Sequence, residues 1–320
     1  MAAVKGATIE SYHREMAADV ASLIEASFAE YRRPSGLVML HVTAPYVGRR
    51  ATTEALEADS VRPEHSVVAS IAGRPVAAVI ATRDGENTRW WRIATPPEFR
   101  GRGLASACLS AAEDSLRPAG IVAASTADTV DSRWEPACAF LEASGYSVHD
   151  PAHHSIIMRL DIDLWTERPV QAAEGYAVVN LSEDDLEEWS VCKNTIFGWS
   201  SEAQWFRDRF MSRHDFDFAG WHVAKHGGRM VGMAGAQVIR EEPSGSRVLG
   251  GIIEYVGVLE EHRRKGLAEA LMIACLNFCK RNQGQTVELI TQPFRIPAVR
   301  LYEKLGFVTV AEWRRYLKQL

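Results

Sequence analysis

The chain has 320 residues, 47% of them hydrophobic, and a formal net charge of −5. That length suits two ordinary domains with ample core material, and the acidic balance argues against nucleic-acid binding through a global positive field. No apolar run approaches the ~18 residues of a membrane span, residues 1–28 lack a signal-peptide core, and the five cysteines (Cys108, Cys138, Cys192, Cys275, Cys279) show neither zinc nor disulfide spacing. These readings predict buried thiols and a location in the reducing cytoplasm.

In chain order, residues 17–30 carry helical periodicity. Residues 67–71 and 76–81 read as strands around the turn Ala72-Gly73-Arg74-Pro75, and 89–94 as a third strand. A helix is expected over 104–116, a strand over 121–125, a helix over 138–144 and a closing strand over 156–160. Residues 161–174 are polar, contain Pro169 and read as the linker. The second half repeats the order: a strand at 176–180, helices at 184–195 and 203–213, and a hairpin of 221–224 and 230–239 around His226-Gly227-Gly228. A strand at 252–258, a helix at 267–281, a strand at 287–291 and a helix at 297–305 follow, with strands at 307–310 and 313–317. Leu267, Leu271, Ala274 and Phe278 recur at helical spacing and read as a core face.

One pattern, R-x-x-G-x-A, occurs twice, half a chain apart. It is Arg100-Gly101-Arg102-Gly103-Leu104-Ala105 in the first half and Arg263-Arg264-Lys265-Gly266-Leu267-Ala268 in the second. Each copy links an apolar strand to an Ala/Leu-rich helix. A helix start leaves backbone N–H groups unpaired and carries partial positive charge, so it favours an anion. Gly103 and Gly266 let a phosphate approach the backbone, and the basic side chains add charge-assisted hydrogen bonds. Neither a Walker loop nor a three-glycine dinucleotide fingerprint is present.

These two segments, with Tyr255-Val256-Gly257-Val258 ahead of the second, resemble the acyl-CoA-binding motif of the GCN5-related N-acetyltransferase (GNAT) superfamily. The downstream signature Ala298-Val299-Arg300-Leu301-Tyr302-Glu303-Lys304-Leu305-Gly306-Phe307 does too, while its first-half counterpart, residues 137–146, is weaker. The resemblance implies an α/β (α+β) chain of two tandem domains, each a twisted mixed, mostly antiparallel sheet flanked by helices. Their expected bounds are 1–163 and 174–320. Tandem chains of this kind include mycothiol synthase-like enzymes and natural-product amine acetyltransferases. The implied cosubstrate is acetyl-CoA, with no metal, and a tandem repeat can substitute for a dimer.

Acetyl transfer to an amine needs bound acetyl-CoA, a base, oxyanion stabilisation and a proton for the thiolate. By the resemblance, Val256, Gly257 and Val258 run along the pantetheine arm, and one of their N–H groups polarises the thioester. Glu254 lies inside an apolar strand, where a carboxylate is costly without a purpose. Strand alternation puts it on a face with Val256 and Val258, barring a bulge, and it is the candidate base. Tyr302, where the family places its proton donor, is the candidate acid. In the first half Trp91 and Leu141 occupy these two places, so that domain is expected to support or regulate, with its loop as a candidate second CoA site. Phe197 and Trp199, with Trp205 and Phe206, read either as a lid over the acceptor or as inter-domain packing. Arg295 departs from the family pattern and faces CoA phosphate, substrate or solvent. His153, His154, His222 and His226 read as loop or surface residues. The expected activity is acetylation of a small-molecule primary amine. Alternatives are acetylation of a thiol-sugar amine and an acyl-CoA-sensing scaffold.

Overall fold

The computed structural model describes residues 6–38, 49–85, 87–127, 130–150, 154–240 and 247–320; His153 and the start of the 1–28 segment lie outside these. The elements run β1 (Thr8–Ser11), α1 (Ala17–Ser35), α2 (Arg49–Glu57), β2 (Val67–Ile71), β3 (Arg74–Asp84), β4 (Asn87–Ala94), α3 (Leu104–Leu116), β5 (Ala123–Thr126), β6 (Val130–Asp131), α4 (Glu135–Ala143), β7 (Ser147–Val148) and β8 (Ser155–Asp161). They continue as β9 (Tyr176–Asn180), α5 (Leu186–Phe197), α6 (Ala203–Phe206), β10 (Trp221–His226), β11 (Arg229–Arg240), β12 (Val248–Val258), α7 (Leu267–Arg281), β13 (Thr286–Thr291), α8 (Ile296–Leu305), β14 (Val308–Arg314) and β15 (Tyr316–Gln319).

The chain forms two compact units. The first comprises Met1–Ile156, Gln292–Phe294 and Ala311–Leu320, and the second Ile157–Thr291 and Arg295–Val310. The first unit's sheet has the order β1-β2-β3-β4-β5-β15-β7. Helices cover both of its faces: Val67, Val79 and Ala81 pack with Leu104, Cys108 and Leu116 of α3, while Val68, Ala78 and Ile80 pack with Val20 and Ile24 of α1. Burial on both faces explains the nearly continuous apolar runs of β2 and β3. In the second unit the order is β14-β8-β13-β12-β11-β10-β9. The predicted stripe Leu267, Leu271, Ala274 and Phe278 is buried, as a core face should be.

Two strands sit where the sequence did not place them. Residues 156–160, expected to close the first domain, lie within β8, between β14 and β13 of the second sheet. The final strand, expected in the second domain, is β15, antiparallel to β5 and β7 in the first sheet. Alternating burial marks a segment as a strand but does not name its partners. Long-range side-chain bonds do: Lys318 Nζ donates to Glu113 Oε2 at 2.7 Å, and the Tyr316 N–H donates to Thr126 Oγ1 at 2.9 Å. The expected linker is also not loose. Ile162 and Trp165 are buried, Trp165 Nε1 donates to Asn277 Oδ1 of α7 at 3.1 Å, and Asn277 Nδ2 donates to the Arg168 carbonyl at 2.8 Å. Polarity and Pro169 hid two apolar anchors.

Candidate active site

In the second unit β12 is paired along one edge with β11 up to Val258, but it pairs with parallel β13 only at Gly251 and Ile252. Beyond Ile252 the edge facing β13 has no strand partner among the described residues, which leaves its amide and carbonyl groups for an extended ligand. The first unit repeats this: β4 pairs with β5 from Thr88 to Trp90 and then parts from it toward α3.

Both loops take the same shape. Gly101 (φ 72°) and Gly103 (φ 76°) precede α3, and Arg264 (φ 60°) and Gly266 (φ 75°) precede α7. Left-handed backbone is free for glycine but costs an L-residue such as Arg264 about 1–2 kcal/mol. Neither helix start carries a side-chain cap, and a Cβ built on Gly103 or Gly266 would meet nothing within 4 Å. Among the described residues nothing plugs the mouths at these glycines, and the first-turn N–H groups of Leu104, Ala105, Leu267 and Ala268 have no helical acceptor. The basic residues are partly engaged. Arg263 Nε donates to the Val258 carbonyl at 3.0 Å, Arg100 Nε to the Thr95 carbonyl at 3.1 Å, and Arg102 Nη2 to the Glu98 carbonyl at 2.8 Å. Lys265 Nζ donates to Tyr176 Oη at 2.6 Å. These side chains therefore brace the loops, and the backbone amides of the first helical turn are left as donors without a helical acceptor.

In the first unit a cleft of ≈ 470 Å³ opens at the strand divergence, lined by Trp91, Ile93, Gly101, Gly103, Phe140 and Leu141 among others. It presents the loop but no carboxylate at position 91 and no tyrosine at 141.

In the second unit the β11–β12 register slips between Met233 and Gly235, with Tyr255 as the extra residue at φ 57°. This bulge corrects the expected facing. Glu254 lies opposite Gly235 and Gly257 opposite Met233, so Glu254 shares a face with Gly257 rather than with Val256 and Val258. Gly257 has a packing reason to lack a side chain: a Cβ there would lie 2.5 Å from Ile196 Cγ2. Glu254 is half-buried, and its Oε2 accepts from Gln237 Nε2 at 2.7 Å. Burial pushes its carboxyl above the usual range, against the pull of Arg209, Arg213 and the Gln237 hydrogen bond. Tyr302, on α8, is 6% exposed, and burial pushes its hydroxyl up to about 12, with Arg295 opposing. It therefore keeps its proton at neutral pH, and among the described residues its hydroxyl makes no hydrogen bond. No hydrogen bond or ring contact joins it to Glu254. Arg295 itself is exposed.

Phe197 and Trp199 come together with Tyr255, at ring-centroid distances of 6.1 and 6.0 Å, and Trp205 and Phe210 join them at 6.0 and 5.7 Å. The aromatic cluster thus packs within its own unit, beside Glu254. Three residues of this region escaped the sequence reading. In the sequence Tyr255 reads only as part of the strand ahead of the second loop. Gln237 is a polar residue in the apolar run of β11, the same signal that singled out Glu254. Lys193 is fully buried on α5, bonds to Ser201 Oγ, and is boxed by Trp189, Trp199 and Trp205, the last centred 4.3 Å from Nζ.

Burial holds the Lys193 ammonium below the usual lysine range. Between its folded value and the ordinary ~10.4, the unfolded chain binds more protons than the folded one, so stability should rise with pH in that window. Lys193→Met should flatten this slope in urea-unfolding curves recorded at successive pH values; an unchanged slope would assign it elsewhere.

Other residues behave as bystanders. All five cysteines are free and buried, and burial pushes Cys275 well above its usual value and Cys279 up to about 12. His154, expected at the surface, is buried against Glu312; a sequence position near a loop does not report packing. Among the described residues, no three His, Cys, Asp or Glu side chains gather as metal ligands, and no helix is long and apolar enough to cross a membrane.

Each unit thus carries a mixed sheet with a parted parallel strand pair and a helix start without a side-chain cap, one arrangement present twice. The model of the acetyltransferase (GNAT) family matches residues 29–146 and 179–307, and the chain belongs to that family. The mycothiol acetyltransferase of Thermobispora bispora is 29% identical over 273 residues, spanning 79% of this chain and 88% of the relative. The rat N-acetyltransferase 8B is 38% identical over 96 residues, 30% of this chain, and the match spans only 42% of that relative's length. Among solved structures, the tandem GNAT protein from the clavulanic acid biosynthesis pathway superposes with a TM-score of 0.69 at 17% identity, covering 98% of each chain, which is a likeness of fold.

Proposed function

We propose that the chain transfers an acetyl group from acetyl-CoA to the primary amine of a small molecule, by direct attack in a ternary complex housed in the second unit. The observation that carries this is the coincidence, in one unit, of a parted β12 edge, an unplugged helix mouth and the half-buried carboxyl of Glu254. Acetyl-CoA supplies the activated acyl group. The N–H groups of Lys265, Gly266, Leu267 and Ala268 face its diphosphate, with Arg264 adding charge, and the open edge of Val256, Gly257 and Val258 takes the pantetheine arm. Glu254 takes the proton of the incoming ammonium. A backbone N–H of the bulged strand polarises the thioester carbonyl. Tyr302 supplies a proton to the departing thiolate. Phe197, Trp199 and Tyr255 wall the acceptor side. The buried thiols of Cys275 and Cys279, held protonated, are poor candidates for a cysteinyl acyl-enzyme.

The first unit's cleft supports a second, non-turnover acetyl-CoA site, because Trp91 and Leu141 replace the base and the acid. The likeness to a mycothiol acetyltransferase over 79% of this chain favours a thiol-sugar amine as the alternative substrate to test first. Thiol release from acetyl-CoA across a panel of amines, sugar amines included, tests the reading. Turnover that Tyr302→Phe reduces about 10- to 100-fold, without weakening acetyl-CoA binding, is expected. Tight CoA binding with no turnover on any amine would instead indicate a sensor.

A further inference from the structure

Gln237 lies on β11 beside the proposed base, and its two polar atoms are unequally matched. The β11–β12 register sets Gln237 opposite Ile252 and Gly235 opposite Glu254, so the amide stands diagonally across from the carboxyl on one face. The side chain is 5% exposed. Nε2 donates to Glu254 Oε2 at 2.7 Å, whereas Oε1 is buried and has no hydrogen-bond partner among the described residues. A buried amide oxygen without a partner carries a free-energy cost that an apolar residue, like the neighbouring Val238 and Ile239, would not incur.

We propose that Gln237 is a positioning residue that serves Glu254 in both of its protonation states, Nε2 aiming the carboxylate and Oε1 standing ready for the proton the carboxyl takes from the amine. This rests on the acetyl-transfer reading above. An ionised carboxylate can only accept, which fixes the NH₂ group toward it. When the N–H bond of the substrate ammonium breaks, its proton goes to a Glu254 oxygen, and the electron pair stays on nitrogen for attack. The carboxyl is then a donor, and rotation of the Gln237 amide about its last torsion turns Oε1 to accept from it. Release of that proton to solvent returns the amide to its first orientation. Arg209, Arg213 and Tyr255 also act electrostatically on or beside Glu254, and they stay in place in the variants below.

Gln237→Leu removes both functions. Gln237→Glu keeps the volume but sets two carboxyls side by side, so the pair holds one shared proton to higher pH. The experiment records the pH dependence of kcat/KM for the amine in both variants, together with ¹³C NMR titration of the Glu254 carboxyl. Expected results are an acid limb and an NMR titration displaced to higher pH, more in Gln237→Glu than in Gln237→Leu. At pH 7 kcat should fall about tenfold in Gln237→Leu, with KM for acetyl-CoA unchanged. An acid limb and NMR titration at wild-type positions in both variants would overturn the proposal. Should Glu254→Gln keep the wild-type pH profile, the base assignment fails instead, and the NMR titration still reports separately whether Gln237 governs Glu254.

Discussion

Glu254→Gln should lower kcat/KM for the amine by about 100- to 10 000-fold while leaving the acetyl-CoA dissociation constant unchanged. The substitution keeps shape and volume, so the aromatic wall of Tyr255, Phe197 and Trp199 stays in place; what is lost is the ability to accept a proton. The wild-type profile should show an acid limb above the ordinary carboxyl range, because burial raises Glu254 despite Arg209 and Arg213. Activity is lost as pH falls through that raised value, and the variant's residual activity should lack the limb. Stability should move the other way. A carboxyl raised by folding binds more protons folded than unfolded between the two values, so its contribution weakens as pH rises through that window. The glutamine variant should therefore be at least as stable as the wild type near pH 7, and denaturant titration checks this. Full turnover with an intact acid limb would remove Glu254 from the mechanism.

The second large effect is expected at the helix mouth. Gly266 adopts φ 75°, and a Cβ there meets open space. Gly266→Val would place a β-branched side chain in left-handed backbone and set its methyl groups where the diphosphate must approach. KM for acetyl-CoA should rise about 100-fold or more, with an unchanged circular dichroism spectrum because the loop is exposed. The matching change in the first unit, Gly103→Val, should leave turnover intact and abolish only binding to the first cleft. If Gly103→Val eliminates turnover and Gly266→Val does not, the roles of the two units are reversed.

Much of this was legible in the chain. The helices at 104–116 and 267–281 appear with the predicted bounds, since apolar periodicity and a preceding glycine mark such starts locally. The two glycine turns were legible because each breaks a local pattern, and their left-handed backbone appears at both helix starts; Glu254 stands out in the sequence as a carboxylate in an apolar strand, and Phe197 and Trp199 as part of an aromatic cluster. Partner choice was not. Nothing in Ser155–Asp161 or Tyr316–Gln319 says which of two similar sheets a strand will join, and that decision rests on distant residues such as Glu113 and Thr126. The bulge at Tyr255 was equally hidden, because an extra residue in a strand changes hydrogen-bond register without changing composition, and it reversed the facing of Glu254. Lys193 ran against the rule that lysines stay exposed, and only the surrounding tryptophans reveal how it is accommodated.

The most direct test is a crystal structure of the full chain with CoA and an amine analogue. The predicted complex has the diphosphate on the amides of residues 265–268, the pantetheine along the free edge of β12 and the thiol within reach of Glu254 and Tyr302. CoA found only in the cleft beside Trp91, with the second mouth closed to it, would contradict the assignment.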